Sequence, residues 1–328
     1  MMGIRARRVL LLAIIIFIAV FTLFSLSVGS ASISSPWRYI FHPGLSGNEH
    51  EIIWSIRFPR VLAALLVGFG LGVAGALSQS ATNNPLADPS IIGTTAGASL
   101  GAVIAVITGV AAIGSPLVSI CAIAGALVTS LIAFTLSRSA LQLVIVGIAI
   151  SALVSSVSGL LISISANSGV RSISFWSLGS LALANSETVS ILAPTILMTS
   201  VLGWWISQRM DLLVLGDREV RHLGFNASTI RLQGFVVVAI LVATSVSVVG
   251  SIAFLALAAP HITRFLIGPT NRPLVIGSAV IGAGLLLIAD TAARTIAPPY
   301  ELPIGLITSL IGAPILILML RKNWQVWR

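Results

Sequence analysis

Long apolar runs separated by short polar breaks recur along this chain. Runs over residues 9–28, 61–79, 95–110, about 117–136, 141–164, 188–206, 234–249, about 252–267, 274–293 and 304–320 approach or reach the ~20 apolar residues that cross a bilayer. The breaks carry helix-stopping chemistry. Asn83-Asn84-Pro85-Leu86-Ala87-Asp88-Pro89 holds two prolines around an aspartate; each removes a backbone donor and disfavours helix in the residue before it. That stretch reads as a tight, rigid elbow between two crossings. Gly114-Ser115-Pro116, Gly250-Ser251, Gly268-Pro269 and Pro298-Pro299 mark further turns. The pattern predicts an all-α polytopic membrane protein of about ten transmembrane helices. It forms one domain over residues 1–328: a first span in 1–31, an external segment 32–60, spans two to six in 61–208, an inner loop 209–231, then spans seven to ten with a basic tail in 232–328. A short interfacial helix is expected around residues 37–41.

Composition sharpens this. Hydrophobic residues make up 57% and charged residues 8%, against roughly 25% charged in a soluble domain, and the mean hydropathy is +1.08. The net charge of +9 does not point to nucleic acid, because the cations sit at the ends of apolar runs and line no polar face. With the N-terminus inside, ten crossings also end inside. Inner segments then hold Arg5, Arg7, Arg8, Arg138, Arg209, Arg218, Arg221, Arg231, Arg264, Arg272, Arg321, Lys322 and Arg328, and outer segments only Arg38, Arg57, Arg60, Arg171 and Arg294. That is 13 of the 18 cations inside, the bias of the positive-inside rule. The basic start and apolar run 9–28 also describe a signal peptide, but the run is long and closes on no clear cleavage site, so it reads as a retained span.

Enzyme signatures fail on inspection. Gly70-Leu-Gly72-Val-Ala-Gly75 matches a dinucleotide fingerprint but lies mid-span with no strand before it. Gly97-Ala-Ser99-Leu-Gly101 matches a nucleophile elbow without a histidine or acid to complete a triad. Small residues four apart are instead what membrane helices use to approach closely. The four histidines are scattered, and the lone Cys121 forms neither an intrachain disulfide nor a Cys-x-x-Cys pair, so no metal site is expected. The only lysine, Lys322, follows Arg321, which excludes a phosphate-binding G-x-x-x-x-G-K-[ST] loop. If ATP drives this protein, a separate chain hydrolyses it. Intramembrane charge is scarce, Asp290 being the clearest case, whereas ion-coupled carriers bury ionisable groups along their path.

Three features invite function. Arg57 and Arg60 sit at one span's outer mouth and Arg294 at another's; guanidiniums there suit the carboxylates of an external partner, although Asp290 also lies one helical turn before Arg294. The inner stretch Leu215-Gly216-Asp217-Arg218-Glu219-Val220-Arg221-His222-Leu223-Gly224-Phe225-Asn226 reads as a short helix that starts at Gly216-Asp217 and stops at Gly224. Its Val220, Leu223 and Phe225 among charges suit docking into another protein's groove. The elbow is the third. Any pathway built from this chain is wide and weakly polar, because its spans supply Ser, Thr, Asn and Gly instead of charge.

These residues together resemble the FecCD-type (BtuC-type) permeases of bacterial ABC importers for iron-siderophores, haem and cobalamin. The resemblance runs from about Arg57 to Lys322 through RFPRVLAALLVG, NPLADPSIIGTTAGASLGA, FWSLGSL, GDREVRHLGFN, APHITRFLIG, LLLIADTAART and ELPIGLITSLIGAPILILML. It implies a type II importer permease in the bacterial inner membrane with both termini cytoplasmic. It implies a dimer with a second copy or a similar permease, two cytosolic ATPases that use ATP and Mg, and an extracellular binding protein; this chain itself binds no cofactor. The ATPases would dock on Gly216, Asp217, Arg218, Glu219, Arg221, His222, Leu223, Gly224, Phe225 and Asn226, and the binding protein on Arg57, Arg60 and Arg294. The matched segments also make Asn83, Asn84, Pro85, Asp88, Pro89, Phe175, Trp176, Ser180, Pro260 and His261 pathway or gate candidates. The cargo expected first is a ferric siderophore, with haem or cobalamin next; an ion-coupled secondary carrier is the alternative of a different class.

Overall fold

A computed structural model describes residues 4–31, 33–42, 44, 47–111, 115–137, 139–165 and 177–323. Every regular element among them is helical. In chain order they are α1 (Ile4–Ser27), α2 (Pro36–Phe41), α3 (Asn48–Glu51), α4 (Phe58–Thr82), α5 (Thr94–Ile107), α6 (Pro116–Thr135), α7 (Ala140–Ile164), α8 (Ser186–Met210), α9 (Asp217–His222), α10 (Ala227–Val249), α11 (Leu255–Leu266), α12 (Asn271–Thr295) and α13 (Ile304–Asn323). Ten of these correspond to the ten expected spans, and α2 is the expected interfacial helix. Seven described helices are long and apolar enough to cross a membrane alone.

Two of the ten are conspicuously short. α5 has 14 residues and α11 has 12, roughly 21 and 18 Å at ~1.5 Å per residue, well under the ~30 Å hydrocarbon core. Each follows a long helix across an irregular elbow and precedes two more helices, so the order long, short, long, long occurs in both halves of the chain. The elbow before α5 reaches deep into the bundle: Ser151 Oγ donates to Ser90 O at 3.3 Å, and Ser151 lies eleven residues, roughly 16 Å, along α7.

α4, α10 and α12 form the centre. Of the span containing α4, 83% is buried, against 11% of α1. Between helices in lipid there is no hydrophobic drive to associate, so close approach and dispersion hold them together. α4 approaches α12 through its glycines: a Cβ at Gly72 would overlap the Ser278 carbonyl oxygen, and one at Gly75 the Ala256 carbonyl on α11. The G-x-G-x-x-G pattern is therefore a packing face.

α4 does not begin at a membrane mouth. Asn48–Thr82 runs as a continuous 35-residue rod, with a π-helical segment Ile52–Arg57 joining α3 to α4. The external segment expected up to residue 60 is thus shorter, and Arg57 and Arg60 lie within a helix. At its other end α4 stops where Asn83 adopts a left-handed conformation (φ 50°). Asn83 N donates to Ser80 O and Asn84 N to Gln79 O, which satisfies carbonyls the helix would leave orphaned.

Candidate functional site

Three arrangements bear on function: an arginine cluster at one end, the α9 segment at the other, and a cavity between.

The cluster brings Arg57, Arg60 and Arg294 together, but turns them inward. Arg57 is 4% exposed, Arg60 6%, Arg294 2% and Asp290 0%. Arg60 Nε pairs with Asp290 Oδ1 at 2.9 Å and its Nη1 with Glu301 at 2.8 and 2.9 Å, while Arg294 Nε takes Asp290 Oδ2 at 3.1 Å. The other guanidinium donors close the end of α1. Arg57 Nη1 donates to Leu26 O and Ser27 O, both at 2.9 Å, and its Nη2 to Ala31 O. Arg294 donates to Ser25 O at 2.8 Å, Ser25 Oγ at 2.6 Å and Val28 O at 2.9 Å. The last carbonyls of a helix lack intrahelical partners and carry its negative dipole end; two arginines answer both needs. The expectation that these guanidiniums await an external partner's carboxylates is thereby corrected: their donors are engaged inside the chain.

At the opposite end, Gly216 (φ 96°) starts α9 and Gly224 (φ 81°) stops it, with Gly224 N on Arg221 O and Phe225 N on Val220 O. Asn226 caps α10, accepting from Ser228 N at 3.0 Å. Val220 is fully buried and anchors the segment, while Arg218, Glu219, Arg221 and His222 are exposed, with Leu223 at 55% and Phe225 at 44%. Val214 and Leu215, which the sequence did not single out, are exposed beside them. Both flanks of α9 are tied to the last turn of α4. Asn83 Nδ2 donates to Leu213 O at 2.7 Å. Arg231 Nε donates to Ala81 O at 3.2 Å, and its other nitrogens grip Asp217 at 2.9 and 2.6 Å. The Arg231 hydrogen bonds hold the Asp217 carboxyl below its ordinary range.

The elbow's polar residues build its own shape. Asn84 Oδ1 accepts from Leu86 N at 2.9 Å and Asp88 Oδ1 from Ser90 N at 2.8 Å, the latter starting a 3-10 turn with Pro89 at its first position; Pro85 precedes them. Just beyond, a cavity of about 430 Å³ opens between the elbow, α5 and α7. Ser90, Thr95 and Ser99 line one side and Ser151, Ser155 and Ser158 the other, with Ser177 and Ser251 closing one end. No described lining residue is ionisable. None of the described pathway candidates lines it: Ser180 N donates to Val249 O at 2.8 Å, and Pro260 and His261 are buried on α11. Phe175 and Trp176 lie outside the described residues. The signal missed was the spacing 151, 155, 158 on α7, one helical face of hydroxyls in an apolar span.

A short helix between long ones, its elbow inside the bundle beside a polar cavity, is a transporter's architecture, and the sequence pattern of the FecCD transport family matches residues 11–322. The chain belongs to the FecCD transport family. It is 38% identical to the hemin transport system permease protein HmuU of Yersinia pestis, over 97% of each chain. It is 38% identical to the iron(3+)-hydroxamate import system permease protein FhuB of Bacillus subtilis (strain 168), over 91% of this chain and 79% of that one. Its fold matches a solved structure, an inward-facing conformation of a putative metal-chelate type ABC transporter, with a TM-score of 0.86 and 31% identity over 95% of this chain and 99% of that one. This FecCD protein is a multi-pass membrane permease subunit of an ABC importer, in which ATP hydrolysis belongs to separate subunits.

Proposed function

We propose that this permease carries a metal chelate, first of all a ferric siderophore, into the cytoplasm. It receives the chelate from a binding protein at the Arg294 end and is driven by two ATPases docked at the α9 end. Both termini then face the cytoplasm. The observation that carries this reading is the exposed Leu223–Phe225 edge of α9, whose flanks are fastened through Asn83 and Arg231 to α4. α4 leads directly into the elbow, and the elbow places Ser90 against the cavity. A push on α9 therefore has a continuous hydrogen-bonded route to the cavity wall. The likeness to permeases named for hemin and iron hydroxamate supports the cargo class.

In this scheme the cavity is half of the pathway. α7 leaves Ser155 and Gly159 exposed beside a row of exposed apolar residues, Leu153 and Leu160 among them, so a second permease, identical or similar, would close the pathway on that face. A wall of hydroxyls holds a bulky chelate weakly through many replaceable hydrogen bonds, which favours passage over capture. The secondary-carrier reading loses its best group, because Asp290 is already saturated by Arg60 and Arg294.

The test is the double variant Leu223→Ser, Phe225→Ser in the reconstituted complex. The docking assignment expects ATPase activity to persist while chelate uptake falls at least tenfold. Normal coupling between hydrolysis and uptake would sink it.

A further inference from the structure

If the cavity is the cargo pathway, its lining chemistry narrows the cargo beyond chelates in general, and the selectivity inferred here rests on that reading. Two of its hydroxyls donate to backbone carbonyls: Ser151 Oγ to Ser90 O and Ser158 Oγ to Val154 O at 3.0 Å. A hydroxyl whose proton is committed in this way offers only lone pairs to the cavity. The remaining hydroxyls rotate and can donate or accept, but none carries charge. Acceptor-rich walls without a cation give a bound anion little to replace its lost hydration, and that loss is costly. A neutral solute with N–H or O–H donors on its periphery loses far less and is met by the lining oxygens. The volume of about 430 Å³ lies in the roughly 300–1,000 Å³ range of small-molecule sites.

We infer that the serine-lined cavity between the elbow, α5 and α7 selects electroneutral, hydrogen-bonding metal chelates. Iron(III) held by three monoanionic hydroxamates is the type, since its ligand charges cancel the metal's. A tris-catecholate complex, whose dianionic ligands leave it strongly negative, is disfavoured, and so is a haem with two ionised propionates. The same hydroxyl face on α7 is the discriminating element, because it is the wall whose polar positions recur one helical turn apart.

The experiment uses the complete complex with its ATPases in proteoliposomes, with and without the binding protein, and a Ser155→Cys variant in a Cys121→Ala background. Ser155 is exposed on α7, so the substitution is compatible with folding; ATP-dependent chelate uptake by the unmodified complex is measured alongside. The rate of labelling by a small neutral methanethiosulfonate is read in the presence of ferric trihydroxamate, ferric tricatecholate or haem. The inference expects the trihydroxamate to slow labelling at least fivefold under both conditions, and the two anionic ligands to change it less than twofold. Equal or better protection by an anionic ligand overturns it, as does protection by none of the three while ATP-driven chelate uptake persists; in both cases the permease reading stands. Absence of any ATP-driven chelate uptake by the unmodified complex removes the permease reading itself, and this inference with it.

Discussion

Asp290→Asn tests the arginine cluster most sharply. The Asp290 carboxylate is fully buried and divides its oxygens between two guanidiniums, Oδ1 to Arg60 and Oδ2 to Arg294. The amide keeps the shape but loses the charge, and its NH₂ faces one of the arginines as a second donor. Removing one partner of a buried ionic group costs roughly 3–5 kcal/mol, mostly because the other partner is left uncompensated. Here compensation is partial: Arg60 keeps both Glu301 oxygens, and Arg294 keeps Val28 O and both Ser25 oxygens. The low end follows, about 3 kcal/mol, or roughly a hundredfold in the folded-to-unfolded ratio at ~1.4 kcal/mol per decade. Reversible unfolding in mixed detergent micelles reads this difference. A cycle with Arg60→Gln isolates the pairwise share, which for residues in one network should exceed about 0.5 kcal/mol. A loss below ~0.5 kcal/mol for Asp290→Asn alone would refute the structural role given to the cluster.

Other outcomes follow from the same geometry. Glu at both Arg57 and Arg60 should lower thermal stability and detach the end of α1, so weakened binding-protein docking in that variant would accompany a lower melting temperature; lost docking at an unchanged melting temperature would restore the arginines as docking groups. Gly72→Ala should destabilise by about 1–3 kcal/mol through overpacking against the Ser278 carbonyl, read in the same micelles, with an unchanged midpoint contradicting the contact. Arg231→Ala should reduce coupled uptake several-fold while the protein remains folded, because it frees α9 from both Asp217 and α4. The Asp217–Arg231 pair also sets a pH window. A carboxyl whose folded pKa is depressed stabilises above its unfolded value near ~3.9 and loses that contribution as pH falls through the folded value. The unfolding midpoint of the unmodified protein should therefore approach that of Asp217→Asn only below about pH 4, and by a small amount because Asp217 is half-exposed.

How much of this was legible in the residues depends on range. The spans were, because an apolar run between Pro and Gly breaks needs nothing distant to be read. α9 was as well, since Gly216 and Gly224 mark its ends locally. The arginine cluster was misread as outward-facing because its partners lie far along the chain: Arg60 meets Asp290 and Glu301 across 230 and 241 positions. The available hint was Asp290 itself, a buried-span carboxylate that demands cations. The depth of the elbow was equally hidden, because prolines end a helix without saying where in the bilayer it ends. The hydroxyl face of α7 was present as a spacing, yet serines in a membrane helix often only bond back to their own turn, as Ser156 does to Ala152 O, and only the cavity singles out Ser151, Ser155 and Ser158.

The central claim is that this FecCD permease imports a metal chelate using energy from another chain. Its most direct test is uptake of radiolabelled ferric siderophores, haem and cobalamin into proteoliposomes holding this chain with its ATPase and binding protein. Uptake that requires both ATP and the binding protein is the predicted result. Uptake that proceeds without ATP on an imposed ion gradient would contradict it.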